Sequence, residues 1–172
     1  PAKFTEDTSG DGKIDLRGEF DAAGAPVREE RDSTSDGRFD VVVNYEDGEK
    51  VREERDTTGD GKHDVVTSFR DGVSGRQAQD PRGDGKYDSI ILFEAGRQAS
   101  QTRDTDGDGK PDVVVYFDAQ ERAAREEIDT NHDRKPDQVK IYEKGVLVRE
   151  EADQDLDGRL EFATVIEKGQ AV

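Results

Sequence analysis

The chain contains no cysteine. Disulfides are therefore excluded, and so are the thiolate ligands that hold soft metals. The redox compartment is left open by the same absence. Methionine is missing too, which reads as a mature or trimmed segment of something longer. There is no transmembrane run and no signal peptide, so membrane insertion is not expected. No basic stripe is visible either. Acidic residues number 43 against 26 Lys and Arg, the formal net charge is -17, and nucleic acid is an unlikely partner on that balance. Only 30% of residues are hydrophobic while 40% are charged. Taken alone, those values predict disorder, or at most a thin fold assisted by metal or charge pairing.

What the chain has is phase. The peptide DTDGDGKPD places Asp104, Asp106, Asp108 and Asp112 at loop positions 1, 3, 5 and 9, with glycine at position 6. Short loops of this spacing wrap a hard cation. The glycine permits the bend, position 7 (Lys110) offers its backbone carbonyl, and position 9 closes the shell. An all-oxygen set of this size suits Ca2+. The first aspartate recurs as Asp7, Asp32, Asp56, Asp80, Asp104, Asp129 and Asp153, at steps of 24 or 25 residues. A fixed period in this range marks a repeat architecture. One repeat domain, 1–172, is expected, with repeats at about 7–31, 32–55, 56–79, 80–103, 104–128, 129–152 and 153–172.

Each loop runs into an apolar segment such as Val41-Val42-Val43-Asn44-Tyr45, where β-branched and aromatic residues favour a strand. Tight-turn dipeptides follow, at Asp47-Gly48, Asp71-Gly72, Ala95-Gly96, Lys144-Gly145 and Lys168-Gly169. A charged returning segment such as Arg52-Glu53-Glu54-Arg55 leads to the next loop. The two longer steps are explained by longer turns, Asp21-Ala22-Ala23-Gly24 and Asp118-Ala119-Gln120-Glu121. The expected fold is all-β: an elongated antiparallel β-meander of seven hairpin repeats, about fourteen strands, with Asp-rich calcium loops on one side and turns on the other. Apolar residues at both strand phases leave a closed barrel or a two-layer solenoid open. The fifth post-loop position (Phe20, Tyr45, Phe69, Phe93, Phe117, Tyr142, Ile166) is the expected core spine. Arg and Glu of the returning strands are expected to pair across strands on a solvated face.

The loops differ at position 3. Loop 7 carries four carboxylates, Asp153, Asp155, Asp157 and Glu161, with Arg159 as its position-7 carbonyl donor. It ranks with loop 5 as the strongest calcium candidate. Loops 1 to 3 place a hydroxyl there: Asp7, Ser9, Asp11 and Asp15; Asp32, Thr34, Asp36 and Asp40; Asp56, Thr58, Asp60 and Asp64. Loop 6 has Asp129, Asn131, Asp133 and Asp137, but Arg134 in place of the position-6 glycine, and should bind more weakly. Loop 4 has Arg82 at position 3, a guanidinium that can stand in for the cation. The competing reading for all seven is a metal-free turn whose aspartates cap backbone N–H groups. Repulsion among clustered carboxylates weighs against it.

At these nonapeptides the sequence resembles the DxDxDGxxD calcium-loop families: thrombospondin type 3 repeats, dockerin loops, and the calcium loops of bacterial surface repeats and integrin-like propellers. The resemblance covers the seven loops. It implies Ca2+ held by the aligned acids, and an extracellular adhesive or scaffolding role. An EF-hand would carry Glu at loop position 12, where loop 5 has Val115, and would flank its loop with helices. The short hairpin unit looks more like other β-hairpin repeats, such as the MORN type, without their motif residues.

Nothing in the sequence supports catalysis. His63 and His132 occupy loop positions 8 and 4 without recurring partners and read as incidental. A non-enzymatic calcium-binding scaffold or spacer, extracellular or at a bacterial cell surface, with the periplasm as the alternative setting, is the leading expectation. A recognition module for a glycan or protein along the exposed sheet face is the alternative. Exposed sheet edges would also permit end-to-end self-assembly.

Overall fold

A computed structural model of the chain describes residues 2–167 and 170–171. It is all-β and antiparallel, with no helix among the described residues and hence none long and apolar enough to cross a membrane. The chain divides into two compact units, Pro1–Gly85 and Lys86–Val172. The first contains β1 (Ala2–Glu6), β2 (Leu16–Phe20), β3 (Pro26–Arg31), β4 (Val41–Glu46), β5 (Glu49–Arg55), β6 (Val65–Arg70) and β7 (Val73–Gln79). The second contains β8 (Ser89–Glu94), β9 (Arg97–Arg103), β10 (Val113–Phe117), β11 (Ala123–Ile128), β12 (Gln138–Glu143), β13 (Val146–Ala152), β14 (Phe162–Glu167) and β15 (Gln170–Ala171). Within each unit the strands form a meander in which every strand pairs with its neighbours in sequence. The hairpin reading therefore holds, and Lys168-Gly169 lies outside the described residues. β1 is an addition. It holds the place before loop 1 that the returning strands hold before the other loops, and its Glu6 pairs with Leu16 as Arg31 pairs with Val41.

Turn chemistry explains the hairpins. Both central residues of each tight turn have positive φ: Asp47 and Gly48 (51° and 80°), Asp71 and Gly72, Ala95 and Gly96, Lys144 and Gly145. That is the type I′ pattern, whose twist matches the strands it joins. In the two longer turns an aspartate does the ordering. Asp21 Oδ1 accepts the N–H groups of Ala23 and Ala25, and Asp118 Oδ1 accepts those of Gln120 and Arg122. Each strand pair that carries such a turn also slips register next to the aromatic position, as between Asn44 and Tyr45 or Ser68 and Phe69. A bulge of this kind adds local twist.

The buried apolar residues are Val41, Val42, Val43, Val66, Ala78, Val113 and Val139. They lie next to the loops, not at the fifth post-loop position. The described aromatics of the expected spine, from Phe20 to Tyr142, are only half-buried. Phe4 and Phe20 meet at 5.5 Å between ring centroids, whereas Lys50 Nζ sits 4.2 Å above the Phe69 ring. The register shows how a single layer hides valines of both phases. Val42 lies between Glu30 and Glu54, Val41 between Arg31 and Arg55, and Val43 between Glu29 and Glu53. Long Arg and Glu side chains cover the apolar strand with their methylene stems while their charged heads stay wet. Many of those heads pair along their own strand, two residues apart. Examples are Arg28 with Glu30, Arg52 with Glu54, Arg125 with Glu127 and Arg149 with Glu151. Cross-strand pairs also form, such as Arg17 with Glu30 and Lys3 with Glu19.

Candidate metal centre

All seven loops share one internal frame. The position-1 aspartate accepts the backbone N–H of position 6 in every copy, at 2.7 or 2.8 Å: Asp7 from Gly12, Asp32 from Gly37, Asp56 from Gly61, Asp80 from Gly85, Asp104 from Gly109, Asp129 from Arg134 and Asp153 from Gly158. The position-5 aspartate accepts the N–H of position 7 in at least five copies: Asp11 from Lys13, Asp36 from Arg38, Asp60 from Lys62, Asp108 from Lys110 and Asp133 from Lys135. Lys110 and Arg159, whose backbone carbonyls are the expected ligands, also donate their own N–H groups, to Asp108 Oδ1 and Asp153 Oδ2. At position 3 the hydroxyls of Ser9, Thr34 and Thr58 face the position-1 carboxylate at 3.2 to 3.4 Å.

The frame closes through a residue the sequence reading passed over. Position 2 is Thr8, Ser33, Thr57, Thr105 or Thr130 in five loops. There its hydroxyl and N–H both donate to the position-9 carboxylate: Asp15, Asp40, Asp64, Asp112 and Asp137 respectively. The recurrence of Ser or Thr at position 2 was the available signal. Loop ends also join the sheet ladder, since the position-1 N–H donates to the position-9 carbonyl of the preceding loop, as from Asp32 to Asp15 and from Asp129 to Asp112. Most position-1 and position-9 aspartates are consequently buried beside the valines, among them Asp15, Asp32, Asp64, Asp104, Asp129 and Asp137.

Position 4 proves as demanding as position 6. Both have positive φ in every loop, from Gly10 and Gly12 (77° and 87°) to Leu156 and Gly158 (61° and 88°). Loop 6 fills both with side-chain-bearing residues, His132 at 62° and Arg134 at 75°. A left-handed conformation costs an ordinary L-residue about 1–2 kcal/mol. Arg134→Gly is therefore expected to raise stability by about 1 kcal/mol, seen as a higher thermal midpoint by circular dichroism.

The carboxylates gather differently from loop to loop. In loop 7, Asp153, Asp155, Asp157 and Glu161 each present an oxygen within 4.8 Å of the others. Its position 2 is Gln154, which has no hydroxyl to hold the ninth residue, and Glu161 has the longer reach. Burial pushes the Glu161 carboxyl up, and the charges of Asp153, Asp155 and Asp157 push it the same way. In loop 5, Asp104, Asp106 and Asp108 form one such group, while Asp112 belongs to another with Asp106 and His132. Burial works against ionisation of Asp112. Hydrogen bonds from Thr105 and His132 outweigh it and bring the carboxyl down to about 2. His132, expected to be incidental, is thus the partner of a buried acid.

Loops 2 to 5 are laced, each to the next, by the cation at position 7. Arg38 Nη1 donates to Gly59 O (3.1 Å), Lys62 Nζ to Gly83 O (3.3 Å) and Lys86 Nζ to Gly107 O (2.8 Å). Each reaches position 4 of the next loop. The Lys86 stem also lies where a Cβ on Gly109 would meet it at 3.2 Å, a second reason for glycine there.

No protein-family model matches the chain, and no curated protein matches it. Several solved chains are similar over part of it, among them two structures of TarM. TarM matches at a TM-score of 0.35 and 14% identity, covering 75% of this chain and 20% of that one. A TarM mutant from S. aureus in complex with Fondaparinux, alpha-GlcNAc-glycerol and UDP matches at 0.36 and 13%, covering 78% and 21%. The chain spans about a fifth of the length of these structures.

Proposed function

We propose that the chain is a non-enzymatic, calcium-binding repeat scaffold or spacer, acting outside the cell or at a bacterial cell surface. The observation that carries the metal half of this reading is the four-carboxylate group of loop 7. Four acids held this close repel one another, and a divalent hard cation removes the repulsion while filling an oxygen-only shell. Loop 5, with three acids in reach of one another, is the second strong site. The DxDxDGxxD resemblance supports the choice of Ca2+ and the extracellular setting. Paired Arg and Glu along the returning strands suit a spacer, whose flanks remain soluble.

Calcium titration of the EDTA-stripped chain by calorimetry, with Mg2+ as control, tests this reading. Saturable Ca2+ binding with a higher melting temperature is expected, and Asp108→Ala should remove one strong site. A stripped chain that is folded and indifferent to Ca2+ would leave the loops as hydrogen-bonded turns.

One observation favours recognition as a second role. Across β8 to β14 the register aligns Leu92, Ser100, Tyr116, Arg125, Ile141, Arg149 and Val165. Leu92, Tyr116 and Val165 are exposed. The corresponding row in the first unit is polar: Arg28, Asn44, Arg52, Ser68 and Arg76. An apolar row with guanidinium groups between its members suits a glycan or protein partner.

A further inference from the structure

The step between loops 5 and 6 departs from the lacing of loops 2 to 5. Lys110 Nζ turns back to Asp108 Oδ2 at 2.8 Å instead of reaching forward. The link runs in the opposite direction, from position 4 of loop 6. His132 Nδ1 lies 2.9 Å from Asp112 Oδ1 and 3.3 Å from Asp106 Oδ2. Where the steps from loop 2 to loop 5 place a cationic side chain between loops, this one converges a ring nitrogen and two carboxylate oxygens from two different loops, all within 4.8 Å.

We propose that Asp106, Asp112 and His132 form a transition-metal site, of the Zn2+ class, that ties loop 6 to loop 5. The donor set separates it from the calcium loops: imidazole nitrogen with carboxylate oxygen suits Zn2+, whereas Ca2+ takes oxygen alone. Its spacing fits. Donors about 2.0–2.2 Å from one Zn2+ ion stand roughly 3.0–3.5 Å apart; the 3.3 Å contact lies in that range, and the 2.9 Å contact, a hydrogen bond in the metal-free chain, opens slightly when the ion takes the place of the ring proton. Charge fits as well, since two carboxylates and a neutral imidazole balance a divalent ion.

The outer partners are in place. Thr105 N–H and Oγ1 hold Asp112 Oδ2, which turns Oδ1 to the ring. Asp108 N–H holds Asp106 Oδ1, which leaves Oδ2 on the same side. Such second partners fix the orientation of ligands before the ion arrives. Asp112 forms a buried floor at 6% exposure, while Asp106 and His132, at 38% and 40%, leave an entry path and a position for water. The site shares Asp106 with the three-acid group of loop 5, so Ca2+ held there would compete with Zn2+ and lower its apparent affinity; the proposal does not depend on calcium binding in the other loops.

Zn2+ titration by calorimetry, run on the full chain with and without saturating Ca2+, tests it. His132→Gln and, as control, His63→Gln are titrated alongside. One saturable Zn2+ site is expected, with the His132 ring resonances shifting in step with occupancy. His132→Gln should weaken it at least about tenfold, leave Ca2+ stoichiometry unchanged, and be unmatched by His63→Gln. Equal Zn2+ affinity in His132→Gln would overturn the proposal, since plain carboxylates would then be the ligands. Loss on His63→Gln instead, or no saturable Zn2+ binding in either buffer, would overturn it equally. Failure of the calcium reading would appear separately, in the Ca2+ titration.

Discussion

Val139→Asp is expected to unfold the middle of the second unit. Val139 is fully buried, between Glu127 on β11 and Glu151 on β13. A carboxylate there would have acids on both sides and no water. It would cost at least about 3 kcal/mol as a buried, unpaired charge. Val139→Ala removes only two methyl-sized groups, at about 0.8 kcal/mol each. The two variants should therefore separate widely in urea melts followed by circular dichroism. Hydrogen exchange should place the lost protection in β11 to β13, because repeat sheets propagate damage to nearest neighbours. A small, equal effect for both variants would mean that the charged stems do not seal the valine strand.

The second large effect separates a loop's frame from its metal. Asp153 accepts the N–H groups of Asp157, Gly158 and Arg159, and its removal strands all three. Asp153→Ala should lower the melting temperature on the order of 5–10 °C, with or without Ca2+. Asp155 accepts none of these bonds, yet it belongs to the four-carboxylate group. Asp155→Ala should leave the Ca2+-free melting temperature unchanged or slightly higher, because one repelling charge is gone, while loop 7 loses its response to Ca2+. If both variants behave alike, frame and ligand set are not distinct.

That distinction marks where the sequence was legible. Turn dipeptides such as Asp47-Gly48 and Lys144-Gly145 specify their own backbone, since few residue pairs accept two positive φ angles in succession. The loops were legible because acids at positions 1, 5 and 9 recur. Their hydrogen bonding was not, because one carboxylate serves equally as metal ligand and as backbone cap. Position 2 governs the capping role, since Thr105 engages Asp112 whereas Gln154 offers no hydroxyl to Glu161.

The core was misplaced for a different reason. Period-2 reasoning supposes one buried face and so favours the aromatic row. In a single layer, burial comes from the neighbouring strands' side chains, and Arg or Glu stems hide Val41, Val42 and Val43 on both faces. Neither β1, whose Ala2–Glu6 segment lacks a preceding turn signal, nor the role of His132 could be read from local pattern. The latter depends on which loops are stacked.

Pairing only with chain neighbours also bears on how each unit is assembled and taken apart. Register partners such as Arg31 and Val41 are joined by one loop, and Val41 and Arg55 by one hairpin. Contact order is therefore low for a β protein, and long-range chain closure, the slow step for most sheets, is avoided. Under tension from its ends, such a meander has no distant strand to clamp it. Extension of a unit is therefore expected to release one hairpin at a time, because each is held only by its neighbours.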